Sequence, residues 1–244
     1  MTTEQRLGQL VGVGVGPGDP DLISVKGVRW LKRSQVVAYP AGVAQQPGTA
    51  ERIIAPWLRR GQTRLPLKFP YVQDMDTLTA AWQQAAAQVW PFLQRGQDVV
   101  FASEGDIGFY STFTYLAQTL QHQHPQVTVQ AVPGICSPLA AAAVLGVPLT
   151  VRSQTLAVLP ALYTVADLEQ TLAWAEVVVL MKVSSVYGQV WSLLERRQLL
   201  QHSTVVAYAT RPEQRIYQDL RQYPQLQLPY FSLLIIQSSP DSLG

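Results

Sequence analysis

Cysteine is almost absent from this chain. Cys136 stands alone among 244 residues. One thiol cannot close an internal disulfide, so a secreted disulfide framework is excluded and a reducing, cytoplasmic setting is expected. Charge is scarce too. Asp, Glu, Lys and Arg make up 14%, against about 25% in an average soluble chain. The net charge of +2 offers no electrostatic reason to bind nucleic acid, and neither end carries a charged tail. No segment approaches the roughly 18 consecutive apolar residues of a membrane span. The Ala-rich run Leu139 to Leu145 is closed by Gly146 and Pro148. Met1 to Gln9 carries Glu4 and Arg6 without a long apolar stretch, so no signal peptide is expected there. His122, His124 and His202 lack metal-ligand spacing and are expected at the surface. No tandem repeat recurs at a fixed period.

Apolar residues make up 48% of the chain. With so little charge, that implies extensive burial, a subunit interface included. The length allows one large domain or two modest ones.

The chain is organised around Leu10-Val11-Gly12-Val13-Gly14-Val15-Gly16-Pro17-Gly18-Asp19-Pro20-Asp21-Leu22. An apolar run stops at a glycine–proline loop, and an amphipathic segment with Val25, Val28 and Leu31 follows. That pattern predicts strand, tight loop and helix, the first unit of an α/β domain. The helix ends in Lys32 and Arg33, where cations suit its dipole. A second unit of the same shape has strand Asp98–Ala102, loop Ser103–Gly108 and a helix from Tyr110 to Leu120. In a parallel sheet both loops lie on one edge, where open α/β sheets place their ligands. A third tight loop, Pro133-Gly134-Ile135-Cys136-Ser137-Pro138, precedes the Ala-rich helix, which Gly146 caps.

Between these units, Val36–Tyr39 reads as a strand and Thr49–Leu58 as a helix. Leu65–Tyr71 reads as irregular or extended because of Pro66 and Pro70. Thr77–Leu93 reads as a helix kinked or stopped early at Pro91. The polar stretch Gln121–Pro125 marks a domain boundary, giving domains 1–124 and 125–244. The second domain opens with a strand at Val127–Val132. It adds strands at Leu156–Leu159, Glu176–Met181, Thr204–Ala209 and Tyr230–Ile236. Its further helices are expected at Val165–Trp174, Val186–Glu195 and, for a turn or two, Gln214–Leu220. The tail Gln237–Gly244 is expected to fray.

The first loop invites a dinucleotide reading, G-x-G-x-x-G. The letters do not fit. Counted from Gly12 the third glycine falls at Pro17, and counted from Gly14 it falls at Asp19. The second strand ends in Ala38-Tyr39-Pro40, with no acidic residue for a ribose. No Gly-Lys-Ser/Thr follows, and Asp19 and Asp21 would repel phosphate. The loop suits a ligand without phosphate and with positive charge. A purely structural turn is the competing reading, weakened by the two sister loops.

At this point the residues carry a family resemblance. Val13 to Leu22 resembles the first motif of the tetrapyrrole (corrin/porphyrin) methyltransferases. Glu104-Gly105-Asp106 with Phe109-Tyr110-Ser111 resembles the second. Val132 to Ser137, with Ala140-Ala141-Ala142 and Leu145 to Leu149, resembles the third. Met181 and Ala207-Tyr208-Ala209-Thr210 resemble the fourth and fifth. The resemblance runs from about Leu10 to Ile236. Within the family, Glu104-Gly105-Asp106 with Phe109–Leu116, Tyr39-Pro40-Ala41-Gly42, Leu67–Pro70 and Tyr230-Phe231-Ser232 look most like precorrin-2 C20-methyltransferases; a methyltransferase of another corrin position or of uroporphyrinogen III, or an inactive cofactor-binding relative, is the alternative. The chain departs at Ile107, where the family usually has the proline of Gly-Asp-Pro, and the loop loses that source of stiffness. Pro138 is also unusual, though proline suits a first helical turn.

The resemblance implies two α/β domains with the active site in the cleft between them, S-adenosylmethionine as cofactor, a tetrapyrrole substrate and a homodimer. It implies cofactor contacts from Pro17, Glu104, Gly105, Asp106, Phe109, Cys136, Ser137, Met181, Tyr208 and Ala209. Asp106 would present its carboxylate to the cofactor's amino-acid end or ribose. Asp19, Tyr110 and Arg152 are expected on the substrate, with Lys26, Lys182 and Arg211 as weaker candidates for its carboxylates. Each site residue has a plainer reading: Met181 as core packing, Asp19 as a helix cap, Cys136 as an inert wall residue. No catalytic base is named by the sequence.

Overall fold

The computed structural model describes residues 6–42, 46–70, 72–161 and 164–238. The chain forms two compact units, Met1–Cys136 and Ser137–Gly244, so the expected division into two α/β domains is found.

The first unit holds a five-stranded sheet of β1 (Leu10–Gly14), β2 (Val36–Pro40), β3 (Thr63–Leu67), β4 (Val99–Ser103) and β5 (Val129–Val132), ordered β3-β2-β4-β1-β5. Every pairing is parallel. Central strands β1 and β4 are buried along their whole length, as a parallel sheet covered on both faces requires. Side chains alternate between two cores. Leu10, Val36, Ala38, Val99 and Phe101 pack against helices α3 (Met75–Gln94) and α4 (Phe113–Gln123). Val11, Val13, Val37, Tyr39, Val100 and Ala102 pack against α1 (Val25–Arg33) and α2 (Thr49–Ile54). The period-two alternation of a strand thus builds a three-layer unit. Ser24 caps α1, its hydroxyl accepting from the Gly27 N–H at 3.1 Å.

One expectation is sharpened and two change in this unit. Thr63–Leu67 is a regular strand despite Pro66. It lies at the sheet edge, where a missing ladder donor is tolerated. Helix α3 continues past Pro91 to Gln94. Pro91 faces solvent and lies in the last turns, while Leu93 beyond it is fully buried and holds the helix to the core. The boundary expected after residue 124 moves to Cys136/Ser137, because β5 pairs with β1 and completes the first sheet.

The second unit has β6 (Leu156–Leu159), β7 (Val177–Met181), β8 (Ser203–Ala207), β9 (Arg215–Gln218) and β10 (Ser232–Gln237), ordered β6-β7-β10-β8-β9. Only β6 and β7 pair in parallel; the other ladders are antiparallel. One face packs on α6 (Val165–Thr171) and α7 (Tyr187–Arg196) through Leu168, Tyr187, Val190, Leu193 and Leu194. The other packs on α5 (Ser137–Leu145) through Ala141 and Ala142. Gly146, at φ 69°, ends α5 as expected. Of Gln214–Leu220, only Leu220 is helical, opening a short 3-10 turn to Gln222. Arg215-Ile216-Tyr217-Gln218 forms β9 against β8; its β-branched and aromatic residues fit an edge strand better than a helical turn.

Candidate functional site

In the first unit, parallel pairing brings the carboxyl ends of β1, β4 and β5 level. Gly14 lies opposite Ser103, and Val13 opposite Val132. The first two of the loops that follow are stitched together by backbone. Gly16 N–H donates to the Gly105 carbonyl at 3.1 Å, and Gly105 N–H returns a bond to the Gly16 carbonyl at 2.7 Å. Val15 N–H donates to the Ser103 carbonyl at 2.9 Å.

Glycine is required here for two reasons. Gly16 and Gly105 have φ of 78° and 71°, which L side chains rarely adopt. Gly14 and Gly134 meet backbone to backbone: a Cβ on Gly14 would lie 2.7 Å from the Gly134 nitrogen and 2.8 Å from the Gly105 oxygen. A Cβ on Gly105, by contrast, would meet nothing within 4 Å. The cradle is therefore closed on the protein side and open at Gly105.

Asp106 is the fastener of this cradle. One carboxylate oxygen accepts from the Gly108 N–H at 2.8 Å and the other from the Gly134 N–H at 2.7 Å. The carboxylate that the sequence reading expected to face a ligand ties the second loop to the third. Ile107 is 3% exposed and packs in the core beside Phe113, within reach of Gly12. The stiffness that a proline would give at 107 comes instead from the Asp106 tethers and this buried anchor. Ser111, also buried, donates to the Ser103 hydroxyl at 3.0 Å and accepts from the Phe113 N–H at 3.2 Å. It fixes the far end of the loop.

Tyr110 precedes α4 rather than starting it. It is exposed, at φ 53°, with its ring edge-on to Phe109 at 4.6 Å. Pro17 is buried, and Glu104, Phe109 and Cys136 are half-buried. The Asp19 carboxylate accepts from the Asp21 N–H at 2.9 Å and caps the short turn Pro20–Leu22, as its plainer reading anticipated.

In the second unit, three of the remaining sequence candidates, Met181, Tyr208 and Ala209, come to one sheet edge. Leu233 lies opposite Met181, and Ser232 opposite Ala207. The Tyr208 N–H then donates to the Phe231 carbonyl at 2.9 Å. So Met181, Tyr208 and Ala209 gather where β7 and β8 end and β10 begins. Met181 is half-exposed and outside both core clusters, whereas Ala209 is buried. Lys182, Tyr208 and Thr210 all have left-handed backbone, at φ 54°, 52° and 66°. The Gln214 side chain accepts from the Thr210 N–H at 2.8 Å and holds this turn. Ser137 starts α5 and is half-buried. Arg152 is exposed at φ 53°, in a turn where the Gln154 side chain accepts from the Val151 N–H at 2.8 Å.

Sequence reasoning missed the tether from Asp106 to Gly134 and the left-handed residues of the second unit. The first was foreshadowed by Pro-Gly in the third loop. Nothing in the letters Lys182, Tyr208 and Thr210 marks a left-handed backbone. Among the described residues, no cluster of three or more His, Cys, Asp or Glu could hold a metal ion. Nor is any helix among them long and apolar enough to cross a membrane.

The profile of the family described as Tetrapyrrole (Corrin/Porphyrin) Methylases matches residues 9–223. The sequence is 33% identical over 240 residues to the cobalamin biosynthesis protein CobIJ of Mycobacterium tuberculosis (strain ATCC 25618 / H37Rv), covering 94% of this chain. It spans only 46% of that longer protein. It is 30% identical over 243 residues to a precorrin-2 C(20)-methyltransferase from Sinorhizobium sp, covering 96% of this chain and 97% of the relative. Among solved structures, uroporphyrin-III C-methyl transferase from Thermus thermophilus, complexed with S-adenyl homocysteine, superposes with a TM-score of 0.69. It is 23% identical, with 94% of this chain and 92% of that one covered, a likeness of fold.

Proposed function

Because this chain belongs to the tetrapyrrole (corrin/porphyrin) methylases, we propose that it is an S-adenosylmethionine-dependent methyltransferase that methylates precorrin-2 at C20 in corrin biosynthesis. The observation that carries this reading is the end-to-end likeness to the Sinorhizobium precorrin-2 C(20)-methyltransferase. Geometry supports the cofactor. The cradle opens at Gly105, whose missing Cβ leaves room for close approach, and its loops carry Asp19, Asp21, Glu104 and Asp106. Acidic loops suit a cation and oppose a phosphate. These residues fit a sulfonium with an amino-acid tail.

When bound, S-adenosylmethionine supplies an electrophilic methyl group for an electron-rich meso carbon of a reduced tetrapyrrole. The chain's task is then positional. Pro17, Gly105 and Phe109 shape the wall of the cradle, and Asp106 holds the second and third loops at fixed spacing. Alignment of reacting atoms and exclusion of water supply a large rate factor without covalent help from the protein. In this reading the chain works in the cytoplasm as a homodimer; its single cysteine favours a reducing compartment.

The test is to incubate the protein with precorrin-2 and S-adenosylmethionine labelled at its methyl carbon, then place the new methyl by NMR. A methyl at C20 is the expected product. A methyl at another ring position would overturn the positional assignment, and cofactor binding without any methylated product would overturn the enzymatic one.

A further inference from the structure

The first unit sorts its charge between its two helical layers. Nine of the chain's 18 Lys and Arg stand between Leu22 and Val72, with a single carboxylate, Glu51. On the opposite layer, no Asp, Glu, Lys or Arg occurs between Asp76 and Arg95 on α3, or anywhere on α4. Glu51 is engaged inward, accepting the Tyr39 hydroxyl hydrogen bond at 3.1 Å. Among the described residues, none of the nine cations enters an ion pair; the pairs that form, Arg197 with Glu169 and Arg221 with Asp219, lie in the second unit.

The fold gathers six of these cations on one face. Arg29, Lys32 and Arg33 line the solvent side of α1, Arg52 lies on α2, and Arg59 and Arg60 follow it, all exposed. The turn at 59–62 is fastened to the end of α1. The Gln62 amide donates to the Leu31 and Ser34 carbonyls at 2.7 and 2.6 Å and accepts from the Arg59 N–H at 2.6 Å. Two of the cations are held on rings. The Arg33 guanidinium lies 3.2 Å from the Trp30 ring centre, and the Lys32 ammonium 4.9 Å from that of Trp57. The Trp57 indole N–H in turn donates to the Pro20 carbonyl at 3.1 Å. Arg33 and Arg60 stand just before β2 and β3, at the amino edge of the sheet, the end away from the cradle.

We infer that this α1–α2 face is a docking surface for an acidic segment of another protein. The helix dipole explains Lys32 and Arg33 in the last turn of α1, and edge protection explains Arg64 and Lys68 about β3. Neither explains Arg29, Arg52, Arg59 and Arg60. Unpaired like charges repel one another, and an anionic partner relieves that repulsion. Cations already ordered on rings lose less rotamer freedom on binding, and the planar arginine fork matches a carboxylate. Apolar groups sit among the cations: Val25 is 67% exposed, and Ala55 and Pro56 are exposed between Arg52 and Arg59. Arginine mixed with apolar surface is the composition of a protein interface. A single-stranded nucleic acid needs open rings for its bases to stack on, and here cations cover Trp30 and Trp57. A membrane surface needs an apolar side to insert, and that side of α1, with Trp30 and Leu31, is buried in the core.

The test is fluorescence anisotropy with the full-length protein and a fluorescein-labelled peptide of repeating Glu-Glu-Leu. Saturable binding is expected, falling steeply as salt rises from about 0.1 to about 1 M and the screening length shrinks from about 10 to about 3 Å. Arg29→Gln/Arg33→Gln/Arg60→Gln is expected to weaken binding about tenfold, the scale of three exposed charge contacts. Arg29→Lys/Arg33→Lys/Arg60→Lys, which keeps the charge, should retain most of the affinity. Removing three cations of the second unit, Arg196→Gln/Arg197→Gln/Arg215→Gln, should change it by less than about twofold. Far-UV circular dichroism and the thermal midpoint verify that each variant folds. No binding of the peptide, equal losses in the two glutamine variants, or affinity unchanged at about 1 M salt would overturn the proposal. So would tighter binding of oligothymidylate or phosphatidylserine vesicles, abolished in the first variant, which would give the face to a nucleic acid or a membrane.

Discussion

The strand ends of the two units differ in how many left-handed turns glycine makes. In the first, Gly16 and Gly105 sit at φ 78° and 71°, with Tyr110 at 53° beyond them. In the second, Lys182, Tyr208 and Thr210 adopt φ of 54°, 52° and 66° with full side chains. The charges differ as well. Asp19, Asp21, Glu104 and Asp106 occupy the loops of the first unit, while Lys182 and Arg211 stand at the edge of the second. Glycine lets a ligand come up to the backbone itself. A left-handed lysine or tyrosine instead aims a side chain. The first edge leaves backbone open at Gly105, while the second presents side chains.

The largest effect that can break this contrast is Gly134→Ala. A Cβ there meets the Gly14 backbone at 2.6 Å as well as the Gly105 carbonyl oxygen. Backbone cannot rotate away, so we expect a loss of about 3 kcal/mol in urea unfolding, at the upper end of overpacking penalties. Asp106→Ala comes next. It leaves the Gly108 and Gly134 N–H groups without their carboxylate acceptor, and charge-assisted bonds of this kind predict about 2 kcal/mol. Hydrogen exchange at Gly134 should quicken in step.

The comparison extends to alkaline pH, because each unit carries one tyrosine whose pKa is pushed up to about 12. In Tyr39 burial is the main cause, aided by Glu51, which accepts its hydroxyl hydrogen bond at 3.1 Å. In Tyr187 the cause is burial, and its hydroxyl donates to the Tyr223 carbonyl at 2.7 Å. Folding therefore favours the protonated phenol. That contribution is complete below the ordinary value of 10 and is lost as pH rises toward about 12. Thermal midpoints should fall across this window, and the Tyr39→Phe/Tyr187→Phe double variant should flatten the fall. The smallest effect is Gly188→Ala in α7. A Cβ there meets nothing within 4 Å, and the exchange should stabilise the second unit by about 0.5 kcal/mol through helix propensity alone. The same substitution is then ruinous at Gly134 and helpful at Gly188.

These differences explain what could be read in the sequence. Glycine is visible as a letter, so the loops after β1, β4 and β5 stood out. The Leu156–Leu159 strand was legible to the residue, because its apolar run is bounded by polar residues and proline. Proline left the reading open at positions 66 and 91, because its cost depends on whether a donor is needed there. At an edge strand and in a helix's last turns it is small. The domain boundary was misplaced because a polar stretch marks a loop, not which sheet the next strand joins; pairing of β5 with β1 decided that. Asp106 stood out in the sequence as an acidic residue of the second loop. Its bond to Gly134, 28 residues away, depends on strand order. The left-handed state of Lys182 and Tyr208 likewise comes from the ladder around β10 and leaves no trace in residue type.

The central claim is that the open side of the glycine cradle receives the methyl donor. Calorimetric titration of S-adenosylhomocysteine into wild-type and Gly105→Trp protein tests it directly, with far-UV circular dichroism to verify that the variant folds. The account predicts saturable binding to the wild type and none to the folded variant. Unchanged affinity in Gly105→Trp would contradict it.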